Sequence, residues 1–125
     1  MSASILAQEP PPGGFEIVVA DGMSNDGTRE ILKRLGDEYP SLQLIDNPER
    51  IVSSALNEAI KAARGDIIIL MDAHAEYASE YVRECIEVLR ETQLDNVGGP
   101  WRASGNGVIG GAIAAAFQYR FSSSW

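Results

Sequence analysis

The sequence holds one cysteine, Cys85, and one histidine, His74, in 125 residues. A lone cysteine excludes an intrachain disulfide and a zinc site built on cysteines. Cys85 lies among apolar residues at helical spacing, where a thiol is more often core than nucleophile. The histidine is committed to an Asp72-Ala73-His74 triplet, so no Ser-His-Asp arrangement can be assembled. Basic residues are also few: 10 Lys and Arg against 18 Asp and Glu, a net charge of −8. That balance argues against nonspecific nucleic-acid binding, which runs on Lys and Arg against phosphate. No apolar run approaches the ~18–20 residues of a membrane span. The N-terminus lacks the basic start and long apolar core of a signal peptide, so the expected compartment is the cytoplasm.

What is present is an ordinary globular composition, 45% hydrophobic and 22% charged, at a length suited to one domain. The acidity is uneven. Residues 1–91 carry 17 of the 18 acidic side chains, and the remainder is rich in Gly, Ala and aromatics.

Along the chain, strand-like and helix-like stretches alternate. Residues 1–8 read as the end of a helix, and Pro10-Pro11-Pro12-Gly13-Gly14 forces a turn. Phe15 to Ala20 is a β-branched run ending at Asp21. A polar loop follows, with Asp26 as the expected helix cap. The next helix carries Ile31, Leu32 and Leu35 and is closed by Gly36 and Pro40. Leu42 to Asp46 is a second strand, and Asn47-Pro48 a turn. Ser53 or Ser54 is expected to cap a helix with Leu56, Ala59, Ile60 and Ala63 on one face, stopped by Gly65. Asp66 to Met71 is the clearest strand pattern in the chain, apolar on both faces and therefore expected at the centre of a sheet. Ser79 is expected to cap a helix bearing Val82, Cys85, Ile86 and Leu89. Asp95 to Trp101 reads as a fourth strand, and Gly107 to Phe121 as a small-residue helix or loop.

This alternation predicts an α/β fold: a Rossmann-like, mostly parallel sheet with helices on both faces. In such sheets ligands bind beyond the carboxyl ends of the strands. The acidic loops from Asp21 and from Asp72 lie at those ends.

Each candidate residue has two readings. Asp72 and His74 leave a strand end two positions apart and can turn toward one ion. Oxygen plus nitrogen ligation suits Mn²⁺ and similar divalent metals, with a diphosphate completing the shell. Alternatively Asp72 caps the next segment and His74 is solvated. Asp21 can accept a hydrogen bond from a base N–H or a ribose hydroxyl, or simply organise its turn. Arg50, just after Asn47 and the second strand, faces a phosphate or solvent. Glu76 and Tyr77 line a pocket or begin a helix. Asp66 fixes the loop before its strand. Trp101 and Arg102 stack on an acceptor or are partly buried.

Together these pieces resemble family 2 glycosyltransferases with the GT-A fold. The first signature is Glu16-Ile17-Val18-Val19-Ala20-Asp21-Gly22-Met23-Ser24-Asn25-Asp26-Gly27-Thr28, similar to the family's VVDGGSTDGT nucleotide loop. The second runs from Ala63-Arg64-Gly65-Asp66 through Leu70-Met71-Asp72-Ala73-His74 and looks like A-x-GD-x-I-x-x-L-D-x-D. Within the family, exopolysaccharide enzymes of the succinoglycan type carry DAHA-x-Y here. The resemblance implies a nucleotide-diphosphate-sugar donor and a saccharide or lipid-linked acceptor at the inner face of the membrane. By position it implies a donor site of Asp21, Met23, Arg50 and Asp72. It also implies Mn²⁺ or Mg²⁺ on Asp72 and His74, in place of the usual Asp-X-Asp. Polypeptide N-acetylgalactosaminyltransferases use an Asp-X-His motif, so histidine is tolerable there.

Two departures qualify the resemblance. The family's first strand, with its Pro-x-Tyr-Asn-Glu-like start, has no counterpart, which would leave two strand edges unpaired. The acceptor-activating carboxylate also lacks a match: after Asp72 come Glu76, Glu80, Glu84, Glu87, Glu91 and Asp95, none where that base is expected. Residues 1–125 are therefore expected to form a partial domain, the donor-binding half, incomplete at both ends. Two other classes compete. A noncatalytic receiver-like module would need a lysine late in the chain, and the last is Lys61. A nucleotidyltransferase would need a glycine-rich phosphate loop near the N-terminus.

Overall fold

The computed structural model describes residues 3–99. In chain order it contains α1 (Ala3–Leu6), β1 (Ile17–Asp21), α2 (Thr28–Glu38), β2 (Leu42–Asp46), α3 (Val52–Ala62) and α4 (Tyr81–Thr92). Strands β1 and β2 pair in parallel, in register from Ile17 with Leu42 to Asp21 with Asp46. A parallel pair needs a long crossover, which α2 supplies. Helix α2 packs on β2, and α3 packs on both strands. The class is α/β, as the alternation predicts.

The ends of the helices are set by more than local sequence. Helix α2 starts as expected: the Asp26 carboxylate accepts the Thr28 N–H at 3.1 Å, and Gly27, with φ of 90°, turns the chain into the helix. Gly36 does not end it. That glycine lies against Leu42 at the start of β2, and the helix runs on to Glu38. Pro40 explains the stop, because it pushes Tyr39 out of helical conformation.

Neither serine caps α3. The Asn47–Arg50 turn, closed by the Arg50 N–H on the Asn47 carbonyl, delivers Ile51 in extended geometry at the cap position. Ser53 and Ser54 fall inside the first turn. Ser79 does not cap α4 either. The side chain of Gln8 does that work, accepting the Val82 N–H at 3.0 Å while donating to the carbonyls of Ser4 and Ala78. Burial of Gln8 makes this a tertiary cap between the chain start and α4.

The largest departure from expectation is Asp66–Met71, which forms no strand. Its residues alternate between half-buried and exposed, and Ile68 and Leu70 remain 52% and 69% exposed, so this stretch is not the centre of a sheet. An apolar run becomes a strand only if another strand satisfies its N–H and C=O groups. Among the described residues the ladder bonds of β1 go to β2 alone, and nothing pairs with 66–71. The run is anchored ahead of its start by Glu16, which holds the Arg64 backbone N–H at 2.6 Å and its guanidinium at 2.9 Å. Residues 66–70, α4 and residues 95–97 border a groove of about 380 Å³. The expected strand at 95–101 is absent over Asp95–Gly99. Its remainder, Trp101, Arg102 and the stretch from Gly107 to Phe121 lie outside the described residues.

Buried apolar side chains are few among the described residues: Leu32 and Leu42 on α2 and β2, and Ile5 and Val82 on α1 and α4.

Candidate functional site

The site is built at the carboxyl end of β1 and β2. Asp21 is the last residue of β1 and is buried. Its Oδ1 accepts the Ser24 hydroxyl at 2.5 Å. Its Oδ2 accepts the Ser24 N–H at 2.9 Å and an Arg29 N–H at 2.7 Å. Burial alone raises the Asp21 carboxyl. The Ser24 hydroxyl and N–H and the Arg29 guanidinium outweigh it and hold the group below the usual carboxylate range. Asp21 is thus ionised and fixed, and it organises its own turn. A carboxylate offers about four acceptor positions, of which three are filled.

Arg29 also reaches Asp46, the register partner of Asp21, at 2.6 Å. One guanidinium therefore bridges the last residues of both strands. Asp46 and Asp21 together raise Arg29 above its ordinary value. The two strand-end loops are in contact as well. The Asn47 N–H donates to the Asp21 carbonyl at 2.8 Å. The Arg50 backbone lies 3.8 Å from where a Gly22 side chain would begin, so the two loops are within van der Waals reach of each other there. Met23 and Arg50 both take left-handed backbone conformations, with φ of 61° and 58°, and both are exposed. Three expected donor-site residues, Asp21, Met23 and Arg50, are thus brought together.

Asp72 is not joined to them. Among the described residues no hydrogen bond or ion pair links the 72–77 loop to this cluster. The Asp72 Oδ1 accepts the His74 N–H at 2.8 Å, and the Ala75 N–H donates to the Asp72 carbonyl at 3.1 Å. This is a side-chain-to-backbone turn of the kind Asp favours. The Tyr77 hydroxyl accepts the Asp72 N–H at 2.6 Å, and the Tyr77 N–H donates to the Ser4 hydroxyl at 3.1 Å. Tyr77 therefore connects the loop to α1. Glu76 is exposed.

The donor set at 72–74 fits an ion only in part. One Asp72 oxygen is engaged in the turn, which leaves its second oxygen and the exposed His74 imidazole. Among the described residues no group of three or more His, Cys, Asp or Glu side chains stands ready for a metal. An ion there would need ligand oxygens to complete its shell.

Comparison with known proteins decides the family. The model of the glycosyl transferase family 2 matches residues 2–118. The chain belongs to glycosyl transferase family 2. Family 2 membership carries the GT-A type of α/β fold and sets aside the receiver-like reading. Similar proteins include the succinoglycan biosynthesis protein ExoA of Rhizobium meliloti, 42% identical over 88 residues, covering 69% of this chain and 27% of that protein. A dolichyl N-acetyl-alpha-D-glucosaminyl phosphate 3-beta-D-2,3-diacetamido-2,3-dideoxy-beta-D-glucuronosyltransferase of Methanococcus voltae is 32% identical over 99 residues, covering 74% and 31%. A dolichol-phosphate mannosyltransferase of Pyrococcus furiosus is 34% identical over 76 residues, covering 61% and 22%. The chain thus spans between about a fifth and a third of the length of these relatives. No solved structure matches it. Among the described residues no helix is long and apolar enough to cross a membrane.

Ser24, Arg29 and Asp46 were not singled out by sequence reasoning. One signal for Arg29 was available. A cation in the first turn of a helix opposes the helix dipole, and such a local violation marks a tertiary partner.

Proposed function

We propose that this chain is the donor-binding part of a glycosyltransferase. It would transfer a sugar from a nucleotide-diphosphate-sugar to an acceptor hydroxyl in polysaccharide or glycoconjugate synthesis. The observation that carries the reading is the clustering of Asp21, Met23 and Arg50 at the carboxyl end of a parallel strand pair, where α/β sheets bind nucleotides. The relatives named above, an exopolysaccharide protein and two transferases named for dolichol-linked substrates, support saccharide or lipid-linked acceptors. A cytoplasmic site at the inner face of the membrane suits such acceptors.

In this reading Asp21 offers its remaining lone pair to the nucleoside, and the exposed Met23 borders the base. Arg50 faces the diphosphate as a cation. Asp72 and His74 would hold Mn²⁺ or Mg²⁺, with ligand oxygens needed to complete the shell. When bound, the ion offsets the charge that develops on the leaving diphosphate. In the transfer the acceptor oxygen bonds to the anomeric carbon as the bond to the diphosphate oxygen breaks. The acceptor proton goes to a base outside the residues assigned here. Residues 1–125 then form a partial domain, with the acceptor half supplied by further chain.

The test is calorimetric titration of uridine and guanosine diphosphates into the protein, with and without Mn²⁺, beside His74→Ala. The expected result is binding strengthened by Mn²⁺ in the wild type, and loss of that strengthening in His74→Ala. A folded wild-type protein that binds neither diphosphate would overturn the proposal.

A further inference from the structure

Asp21 and Asp46 end adjacent parallel strands in register, where strand spacing alone puts the backbones about 5 Å apart. Two carboxylates so placed repel each other, and they also repel an incoming anion. Arg29 lies between them, one terminal nitrogen 2.7 Å from Asp21 Oδ2 and the other 2.6 Å from Asp46 Oδ1. The two legs differ in burial. The Asp21 side chain is 4% exposed, and that of Asp46 is 58% exposed. The Arg29 nitrogen that holds Asp21 also lies 3.8 Å from the Met23 sulfur. Arg29 therefore touches the carboxylate that starts the loop, the exposed residue within it, and the neighbouring strand end.

We infer that Arg29 is a positioning residue for the donor nucleoside, acting through Asp21. It keeps one Asp21 oxygen filled and the carboxylate in one orientation. That leaves the Asp21 lone pair not taken by Ser24 as the acceptor presented to a ligand. The planar fork is essential to this role, because a lysine ammonium carries the same charge but cannot span both carboxylates in a fixed geometry. This inference rests on the donor-site reading above, in which Asp21 meets the nucleoside.

The experiment is calorimetric titration of uridine diphosphate, with guanosine diphosphate as the second probe. The proteins are wild type, Arg29→Lys, Asp21→Asn and the Asp21→Asn/Arg29→Lys double variant, all with circular dichroism to establish folding. Arg29→Lys is expected to weaken binding about tenfold, the scale of one charge-assisted hydrogen bond. The factor by which Mn²⁺ strengthens binding should be unchanged, because that factor belongs to the separate 72–77 loop. A general loss of structure would reduce both. In the Asp21→Asn background the Arg29→Lys effect should vanish.

Folded Arg29→Lys with wild-type affinity overturns the inference and leaves the donor reading standing. An undiminished tenfold loss in the Asp21→Asn background also overturns it, since Arg29 would then act by another route. Wild-type protein that binds neither diphosphate overturns the donor reading and the inference with it. Should Arg29→Lys fail to fold, Asp46→Asn removes only the exposed leg. Its expected loss is about threefold, and folded Asp46→Asn with wild-type affinity counts as the overturning result.

Discussion

The two acidic loops of this chain look alike in sequence and differ in structure. Each follows an apolar run that ends in aspartate. At the first, the run is a strand with a ladder partner, and the aspartate is buried beneath three hydrogen bonds. At the second, the run has no ladder partner among the described residues, and the aspartate is exposed and closes its own turn. Both runs are rich in β-branched residues, so propensity does not separate them. The difference lies in whether a neighbouring backbone is available. A paired strand end can hold a carboxylate against burial, whereas an unpaired one leaves it to local turn chemistry.

The largest expected way to break this contrast is Asp21→Ala. It strands the Arg29 and Ser24 donors at a buried position and should cost about 2–3 kcal/mol in urea unfolding. The equivalent Asp72→Ala change, at an exposed turn, should stay near 0.5 kcal/mol. Comparable losses would mean that the two loops are equally structured.

Acid gives a second test. Asp21, Asp26 and Glu16 are all held below their ordinary values: Asp21 despite burial, by Ser24 and Arg29; Asp26 by Thr28; Glu16 by the Arg64 backbone N–H and side chain. A lowered carboxyl supplies stability that is fully present above its unfolded value and is lost as pH falls through the folded one. Stability to heat is therefore expected to fall below about pH 4. Asp21→Ala should make that decline shallower, and an equal slope in the variant would remove Asp21 from the account.

Next in size is Gln8→Ala. It removes a buried amide that serves Ser4, Ala78 and Val82, at about 2 kcal/mol. Amide exchange of the 72–82 segment should rise more than that of β1 and β2. Uniform change across both regions would contradict the separation drawn here.

The smallest effect is expected at Leu70. A side chain 69% exposed should tolerate Leu70→Ala within about 0.5 kcal/mol. Leu32→Ala, at a position 5% exposed, should cost about 2–4 kcal/mol. A large Leu70 effect would show that the 66–71 run is packed in solution.

Much of this was legible in the residues. The strand–loop–helix order from Ile17 to Asp46 follows from apolar periodicity and from Asp26 and Gly27 at the helix start. Asp21, Met23 and Arg50 come from two loops that a parallel crossover must place side by side. Other features were not legible. Gly36 reads as a helix stop and instead lies against Leu42. Ser79 reads as a cap, but its place is taken by Gln8, about 70 positions earlier in the chain.

The sequence alone determined the strand–helix–strand order from Ile17 to Asp46, the helices that follow it, and the family, because hydrophobic period, turn residues and the two aspartate signatures are properties of short stretches. Only the tertiary structure decided which apolar run became a strand, which side chain capped α4, and which cation faced Asp21. Each of those depends on a backbone or side-chain partner far away in sequence, and a hydrogen bond forms only where that partner arrives.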